Sequence, residues 1–334
     1  MRCKLKKNKY KYSAKTILLT FLQFKKIKKN SHSHFLDYKK FCYAYHRDGF
    51  NEKGIKINSL DLYYEDLKNK GLNYLNDTFV YDQIEEISVC NEKGKISCLV
   101  ARKKEQKKWV IGLHGWTENK YLALRLVHHF WKQGYNVLTF DSFAHGLSYG
   151  EKTDIGYSSV KMLEDIIVYL KNTEQAESIG LIGNSMGAST SLLFIQKSKM
   201  RSLVNWVIAD CGFSNIKHQY RYYIENNLYY IEWWKIGFLF THKFSKETKT
   251  PQRKYNLLKN MSKAKDIPVL FIHSKGDTFI PFEMSELMYN KKIKFEKVIK
   301  SEIWVPDGSE HVNTIVTYNE EYISKSINFA RKWE

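Results

Sequence analysis

The feature of this sequence that most constrains its fold is the pentapeptide Gly-Asn-Ser-Met-Gly at residues 183–187. The apolar segment 178–182 before it predicts a buried strand, and the segment 188–197 after it, which lacks Pro and Gly, predicts a helix. A Gly-x-Ser-x-Gly between a strand and a helix predicts a nucleophile elbow, a sharp turn in which the serine takes strained backbone angles. The Ser185 hydroxyl would then project above the edge of a sheet.

Apolar strands alternate with helices over much of the chain. This alternation predicts a mostly parallel sheet covered by helices on both faces, with two antiparallel strands leading into it. Functional side chains are expected at the carboxyl ends of the parallel strands. Strands are predicted over 84–90, 95–102, 109–114, 136–141, 178–182, 205–210, 267–273 and 300–305, and further helices over 121–133, 160–171 and 320–332.

Three parts of the chain are predicted: a basic tail over 1–30, a helical extension over 31–79 and a catalytic domain over 80–334. Within the last part, a cap is predicted over 213–262, because this stretch is too aromatic for a simple crossover. Its rings could line an acyl or aryl pocket, or they could bury the core of the cap itself.

The charge is concentrated at one end. The chain has 54 Lys or Arg against 35 Asp or Glu, and residues 1–30 contain eleven basic residues and no acidic one. The remainder is only mildly basic and has no nucleic-acid-binding motif, so a nucleic-acid partner is not expected. Five cysteines without C-x-x-C spacing suit reduced thiols in the cytoplasm and argue against a disulfide framework or a zinc site.

Inside the tail, residues 17–24 form an apolar run flanked by lysines. The run is far shorter than the roughly 20 residues that a membrane-spanning helix needs. It could lie on an anionic membrane surface, which would place the protein peripherally at the inner membrane surface. The alternative is a helix packed on the catalytic domain.

A serine nucleophile needs a histidine base that is oriented by a carboxylate, in the chain order Ser, Asp or Glu, His. His311 is the predicted base, because it is the only histidine after the predicted acid and follows the last strand. Asp277 is the predicted acid, because it lies in a Gly-Asp turn directly after the 267–272 strand. Asp210 also ends a strand and is the alternative acid.

Two backbone N–H groups are needed to hold the oxyanion of the tetrahedral intermediate. The predicted donors are the amides of Met186, which follows the nucleophile, and Trp116, in the loop after the 109–113 strand. His114, Asp141 and His145 are interpreted as supports of the loops rather than as catalytic groups. The sequence shows no metal-ligand spacing and no phosphate-binding glycine loop, so neither a metal nor a cofactor is expected.

These motifs together resemble the α/β-hydrolase superfamily over residues 80–334. The finer resemblance is to the bacterial branch of serine aminopeptidase S33-like or YqkD-like hydrolases. One departure is Phe143-Ala144, where the branch usually has Arg-Gly. The quoted motifs are His-Gly-Trp at 114–116, Asp141, His-Gly-x-Ser at 145–148, Gly-x-Ser-Met-Gly at 183–187, Asp-Cys-Gly-Phe at 210–213, Gly-Asp at 276–277, Ile-Pro at 280–281, Met284, Leu-Met-Tyr at 287–289 and His311.

The resemblance implies hydrolysis of an ester, thioester or amide through an acyl-enzyme. The expected function is a serine hydrolase that acts on a small acyl substrate, of the carboxylesterase or lysophospholipase type, with a lipid ester or thioester as possible substrates. A peptidase of the S33 aminopeptidase type is the enzymatic alternative. A non-catalytic binding protein on the same fold is the alternative from another class, although all three triad members are kept.

Overall fold

An eight-stranded sheet forms the centre of the fold in the computed structural model, which describes residues 48–72, 77–227 and 233–334. Across the sheet the strands follow the order β1-β2-β4-β3-β5-β6-β7-β8. The strands are β1 (Glu85–Asn91), β2 (Gly94–Ala101), β3 (Lys108–Leu113), β4 (Asn136–Phe140), β5 (Ser178–Asn184), β6 (Trp206–Asp210), β7 (Val269–Ile272) and β8 (Glu302–Trp304).

The sheet is mostly parallel, as predicted. β2 pairs antiparallel with β1 and with β4, and every later pair, from β4–β3 to β7–β8, is parallel. β4, β5, β6 and β7 are buried at every position, as expected for strands that helices cover on both faces. Each predicted strand is present within a few residues of its expected limits.

Helices cover the two faces of the sheet. The helices are α1 (Leu60–Asn69), α2 (Leu124–Lys132), α3 (Ser159–Asn172), α4 (Met186–Lys197), α5 (Ile216–Asn227), α6 (Trp233–Thr248), α7 (Glu283–Ile293), α8 (Thr314–Thr317) and α9 (Asn319–Trp333). Short 3-10 turns lie at Tyr81–Gln83, Arg201–Leu203, Gln252–Lys254 and Leu258–Ala264.

The hydrophobic core is divided by the sheet into two clusters. One lies under α3, α4 and α7 and includes Met162, Leu192 and Met288. The other lies under α1, α2 and α9, where the Phe130 ring stacks on Trp206 of β6 with 5.4 Å between ring centroids. α1 therefore shares a core with the sheet, although it belongs to the predicted extension that precedes it.

The predicted basic tail, residues 1–30, lies outside the described residues, and so do residues 31–47 and 73–76 of the predicted extension. Of the extension, α1 is the helix that the described residues contain. None of the helices in the described parts of the chain combines the length and the apolar character that a bilayer crossing requires.

The aromatic segment between β6 and β7 contains α5 and α6. Several of its described rings pack on one another. Tyr220 lies edge-on to Phe240 and Phe244, with ring centroids 5.0 and 5.2 Å apart, and Trp233 packs against Phe240. This packing fits the interpretation in which the rings bury the core of the segment itself, while Tyr220 also lines the pocket at Ser185.

Candidate active site

Ser185 is the turn residue between β5 and α4, with φ 51° and ψ −111°. A positive φ is uncommon for a residue with a side chain and costs on the order of 1–3 kcal/mol. The flanking glycines permit the turn: a Cβ on Gly187 would lie 2.0 Å from the Leu113 carbonyl oxygen, and one on Gly183 would lie 2.5 Å from the Gly187 backbone. The Ser185 amide donates to the Asp210 carbonyl at 2.8 Å, which fixes the turn against β6.

The three predicted triad residues lie together at the carboxyl ends of the strands. His311 Nε2 lies 2.9 Å from Ser185 Oγ, and His311 Nδ1 lies 2.6 Å from Asp277 Oδ2. Because an ionised carboxylate only accepts hydrogen bonds, Nδ1 carries the proton and Nε2 is left to accept one from the serine hydroxyl. This is the arrangement in which a serine can lose its proton to a histidine.

Asp277 is held as an ionised carboxylate. Its Oδ1 accepts hydrogen bonds from the amides of Phe279 and Ile280, at 2.9 and 2.8 Å, and its Oδ2 accepts from both His311 and His273. Burial raises the pKa of Asp277, but the hydrogen bonds from His273 and His311 outweigh it and hold the pKa well below its usual range. The carboxylate therefore stays charged at any pH at which the protein would work.

His273 is a support of the acid that sequence reasoning missed. It is fully buried directly after β7, and its Nε2 faces two acceptors, Asp277 Oδ2 at 3.1 Å and the Ile280 carbonyl at 2.9 Å. Nε2 must therefore be the protonated nitrogen, and Nδ1 meets the Ser285 hydroxyl at 2.7 Å. The available signal was a histidine at a strand end four residues before the predicted acid.

Asp210, the alternative acid, is buried at the end of β6, and its side chain does not contact His311. Its Oδ2 accepts a hydrogen bond from the Tyr322 hydroxyl at 3.2 Å, on the face of the sheet that carries α9. Burial raises the pKa of Asp210 to about 7. Of the two candidate acids, Asp277 is the one within hydrogen-bond distance of His311.

The two residues proposed as oxyanion donors line one pocket with Ser185. Trp116 lies in the loop after β3, and Met186 is the first residue of α4. The first amides of a helix lack partners inside the helix and lie at its positive end, which suits a developing negative charge. The positions of Trp116 and Met186 are therefore compatible with the predicted oxyanion hole.

His114 and His145 hold the backbone of the Trp116 loop. His114 is fully buried; its Nε2 accepts from the Ser142 amide at 2.9 Å, so its Nδ1 donates to the Gly115 carbonyl at 2.6 Å. His145 Nε2 lies 2.6 Å from the Trp116 carbonyl. His145 Nδ1 lies 2.9 Å from the Phe143 carbonyl, and burial lowers the pKa of His145 to about 3. Both histidines are bonded to backbone, as the interpretation of loop supports requires.

Asp141 organises the loop after β4 from the inside. Its Oδ2 accepts from the Leu147 amide at 2.9 Å and pairs with the buried Lys120 ammonium at 3.2 Å. In the same loop Ala144 has φ 58° and is fully buried. That backbone region favours glycine, which gives a physical reason for the usual glycine at the position where this chain has Ala144.

The pocket at Ser185 has about 340 Å³ of empty space, including the part that opens to solvent. Its wall is mostly apolar, and none of the lining residues among those described is charged. The lining residues are Trp116, Ile155, Ser185, Met186, Phe213, Ile216, Gln219, Tyr220, Phe279 and Ile280.

Among the residues that the structure describes, one group of side chains could hold a metal ion. Side-chain ligand atoms of Cys211, Asp277 and His311 lie within 4.8 Å of one another. Both nitrogens of His311 are already engaged with Asp277 and Ser185, and burial raises the pKa of the Cys211 thiol well above its usual range. A protonated thiol is a poor ligand, so the donor set fits a hydrogen-bonded triad better than a metal centre.

The sequence of this chain is similar to those of known proteins. A family model of the alpha/beta hydrolase fold matches residues 108–267. The uncharacterized protein YqkD of Bacillus subtilis is 33% identical over 184 residues, which cover 55% of this chain and 59% of YqkD. The match thus spans about three fifths of the length of that relative.

Solved structures show the same fold. The esterase Pf2001 of Pyrococcus furiosus is 27% identical with a TM-score of 0.61, and the match covers 75% of this chain and 90% of the esterase. An acylaminoacyl peptidase of Pyrococcus horikoshii, 18% identical with a TM-score of 0.56, matches over 83% of this chain and 44% of the peptidase, and it shows the fold alone. The predicted α/β-hydrolase fold is confirmed.

Proposed function

We propose that this chain, which has the α/β-hydrolase fold, is a serine hydrolase that cleaves esters of small apolar acyl groups. The observation that carries the proposal is the continuous hydrogen-bonded series Ser185 Oγ–His311 Nε2 at 2.9 Å and His311 Nδ1–Asp277 Oδ2 at 2.6 Å. Each of its members is fixed by a loop at the carboxyl end of a different strand.

The mechanism follows from the atoms that these groups present. Ser185 Oγ attacks the acyl carbon while its proton moves to His311 Nε2, and Asp277 stabilises the imidazolium that forms. The amides of Met186 and Trp116 hold the oxyanion. His311 then gives its proton to the departing alcohol, which leaves an acyl-enzyme. In the second half a water molecule loses a proton to His311, attacks the acyl group and releases the acid and Ser185.

The pocket supports an ester rather than a peptide substrate. An aminopeptidase needs an acidic group to hold the substrate's ammonium, and none of the described residues that line the pocket is acidic. The wall instead offers Phe213, Ile216 and Tyr220 to an apolar group. An aminoacyl amide is the competing substrate class, and the same assay tests it.

The test is hydrolysis of p-nitrophenyl esters of increasing acyl length, in parallel with aminoacyl amides. Ester cleavage is expected to exceed amide cleavage, and Ser185→Ala should reduce the ester rate at least about a hundredfold. A fluorophosphonate should label Ser185 in the native protein and fail to label the variant. An active Ser185→Ala protein would exclude the mechanism, whereas faster cleavage of the amides would support a peptidase.

A further inference from the structure

A single carboxylate bonds to both backbone segments that present the proposed oxyanion donors. Glu118 Oε2 accepts from the Gly115 amide at 2.7 Å and from Asn184 Nδ2 at 3.0 Å. Gly115 immediately precedes Trp116, and Asn184 immediately precedes Ser185 in the elbow. The Glu118 carboxylate therefore fixes the spacing between the loop after β3 and the start of α4.

A buried arginine holds this carboxylate in place. Arg125 of α2 is 1% exposed, and its Nη2 donates to Glu118 Oε1 at 2.7 Å. Burial raises the pKa of Glu118, but the Arg125 guanidinium and the hydrogen bonds from Gly115 and Asn184 lower it to about 2. Glu118 is thus ionised at neutral pH, and its orientation depends on Arg125.

The other partner of Arg125 lies in the N-terminal extension. Asp66 of α1 forms an ion pair with Arg125 Nη1, so the guanidinium bridges α1 and Glu118. α1 also reaches the loop of the proposed base, because Lys70 at its end donates to Asn313 Oδ1 at 2.8 Å. Asn313 is two residues after His311. The residues 48–72 that carry these contacts lie outside the range matched by the family model.

We infer that Glu118 is a positioning residue for the oxyanion hole, and that α1 acts on the same site through Asp66 and Arg125. The inference rests on the proposed function. Oxyanion donors stabilise the transition state far more than the bound ester, so their displacement lowers kcat and leaves KM nearly unchanged. According to this inference, the N-terminal extension contributes to catalysis together with the catalytic domain.

The first test removes the carboxylate. Glu118→Ala should lower kcat about 10- to 100-fold, since a misplacement near 1 Å can cost a factor of this order. KM should stay within about threefold, and a trifluoromethyl ketone, whose hemiketal oxygen occupies the oxyanion hole, should bind more weakly by the factor lost in kcat/KM. Glu118→Gln keeps an oxygen that can accept from Gly115 and should recover part of the loss.

Rates are expressed per active site titrated with a fluorophosphonate, which separates displaced donors from a smaller folded fraction. Full kcat per titrated site in Glu118→Ala, or an unchanged affinity for the ketone, would overturn the inference. A native protein that neither reacts with the fluorophosphonate nor cleaves esters would instead refute the proposed function, so the two failures are distinguishable.

The second test substitutes a residue of the extension, and it can still be carried out if Glu118→Ala does not fold. Asp66→Asn removes the far carboxylate of the ion-pair series and should lower kcat about 3- to 10-fold with KM unchanged, because the Arg125 guanidinium then loses the charged partner that fixes its position and so holds Glu118 less precisely. Asp61→Asn removes an exposed charge from the same helix and is the matched control, with kcat expected to equal that of the native protein. Equal kcat in the two variants would refute the role of α1.

Discussion

The two sides of the pocket are built by different forces. On one side, Ser185, His311 and Asp277 are placed by hydrogen bonds of 2.6 to 2.9 Å, each with one compatible geometry. On the other side is the α5 wall, which we define as Phe213, Ile216, Gln219 and Tyr220. It is held mainly by ring packing, such as Tyr220 against Phe240 and Phe244 at about 5 Å between centroids.

This difference indicates which residues of the site can be substituted by others. Directional hydrogen bonds tolerate little displacement, so a substitution in the triad removes the chemistry. Packed rings and aliphatic side chains can be exchanged for others of similar volume, usually at less than about 1.5 kcal/mol. The triad should therefore determine whether an acyl group is cleaved, and the α5 wall which acyl group it is.

The largest effect on activity is expected from a substitution in the hydrogen-bonded triad. Asp277→Asn should lower kcat by roughly 10³- to 10⁴-fold, because an amide at this position no longer fixes the protonated Nδ1 of His311 or stabilises the imidazolium. Ester turnover per folded molecule measures the effect. Asp210→Asn is the matched control, since Asp210 ends the neighbouring strand and its side chain bonds to Tyr322. A comparable loss in both variants would mean that the acid is wrongly assigned.

A smaller effect on activity is expected from a substitution in the α5 wall. Ile216→Ala should leave kcat for short esters within a few-fold and shift kcat/KM toward longer acyl chains by about tenfold, since a few methylenes in an apolar pocket carry this much discrimination. The panel of p-nitrophenyl esters gives the measurement. Ile224→Ala is the control, because Ile224 is equally buried on α5 and does not line the pocket. The same shift in both variants would indicate a general loosening of the wall.

The smallest effect concerns the free energy of unfolding. It depends on Asp210, which belongs neither to the triad nor to the α5 wall. Its folded-state pKa of about 7 lies above the ordinary value near 3.9, so the proton is bound more tightly in the folded state. The stability that this proton contributes is complete below pH 4 and is lost as the pH rises through 7. The stability of Asp210→Asn relative to the native protein should therefore increase by roughly 2 kcal/mol between pH 5 and 7.

Urea unfolding at pH 5, 6, 7 and 8 measures that difference. Buried histidines such as His129, whose pKa burial lowers to about 3, give the opposite pH trend, but they contribute equally to both proteins and cancel. A constant difference between the two curves would show that Asp210 is ionised in the folded protein over this range.

Much of the site could be predicted from the sequence because its main residues follow local rules. The elbow is set by two glycines around Ser185, and chain order together with strand ends identified Asp277 and His311. Those rules need only the neighbouring residues and the order of the strands. The sheet was predictable for the same reason, since each strand is a short apolar run with a clear end.

What the sequence did not reveal depends on contacts between distant segments. Nothing local to Glu118 indicates that it bonds to Asn184, 66 residues away, or that Arg125 links it to α1. His273 could be read only as the end of a strand, because its partner Ile280 lies across a turn. Which rings of the α5–α6 segment reach the pocket was equally hidden, since a ring has the same sequence signature in a core and in a wall.

The separation of nucleophile and base along the chain has a consequence for biosynthesis. Ser185 and His311 are 126 residues apart, and β6, β7 and β8 are synthesised between them. Until the loop that follows β8 has been synthesised, Ser185 lacks its proposed base, whichever strands have already paired. On the proposed mechanism, acyl transfer requires the loop that follows β8, so the order in which the segments are synthesised would protect a growing chain from premature acylation.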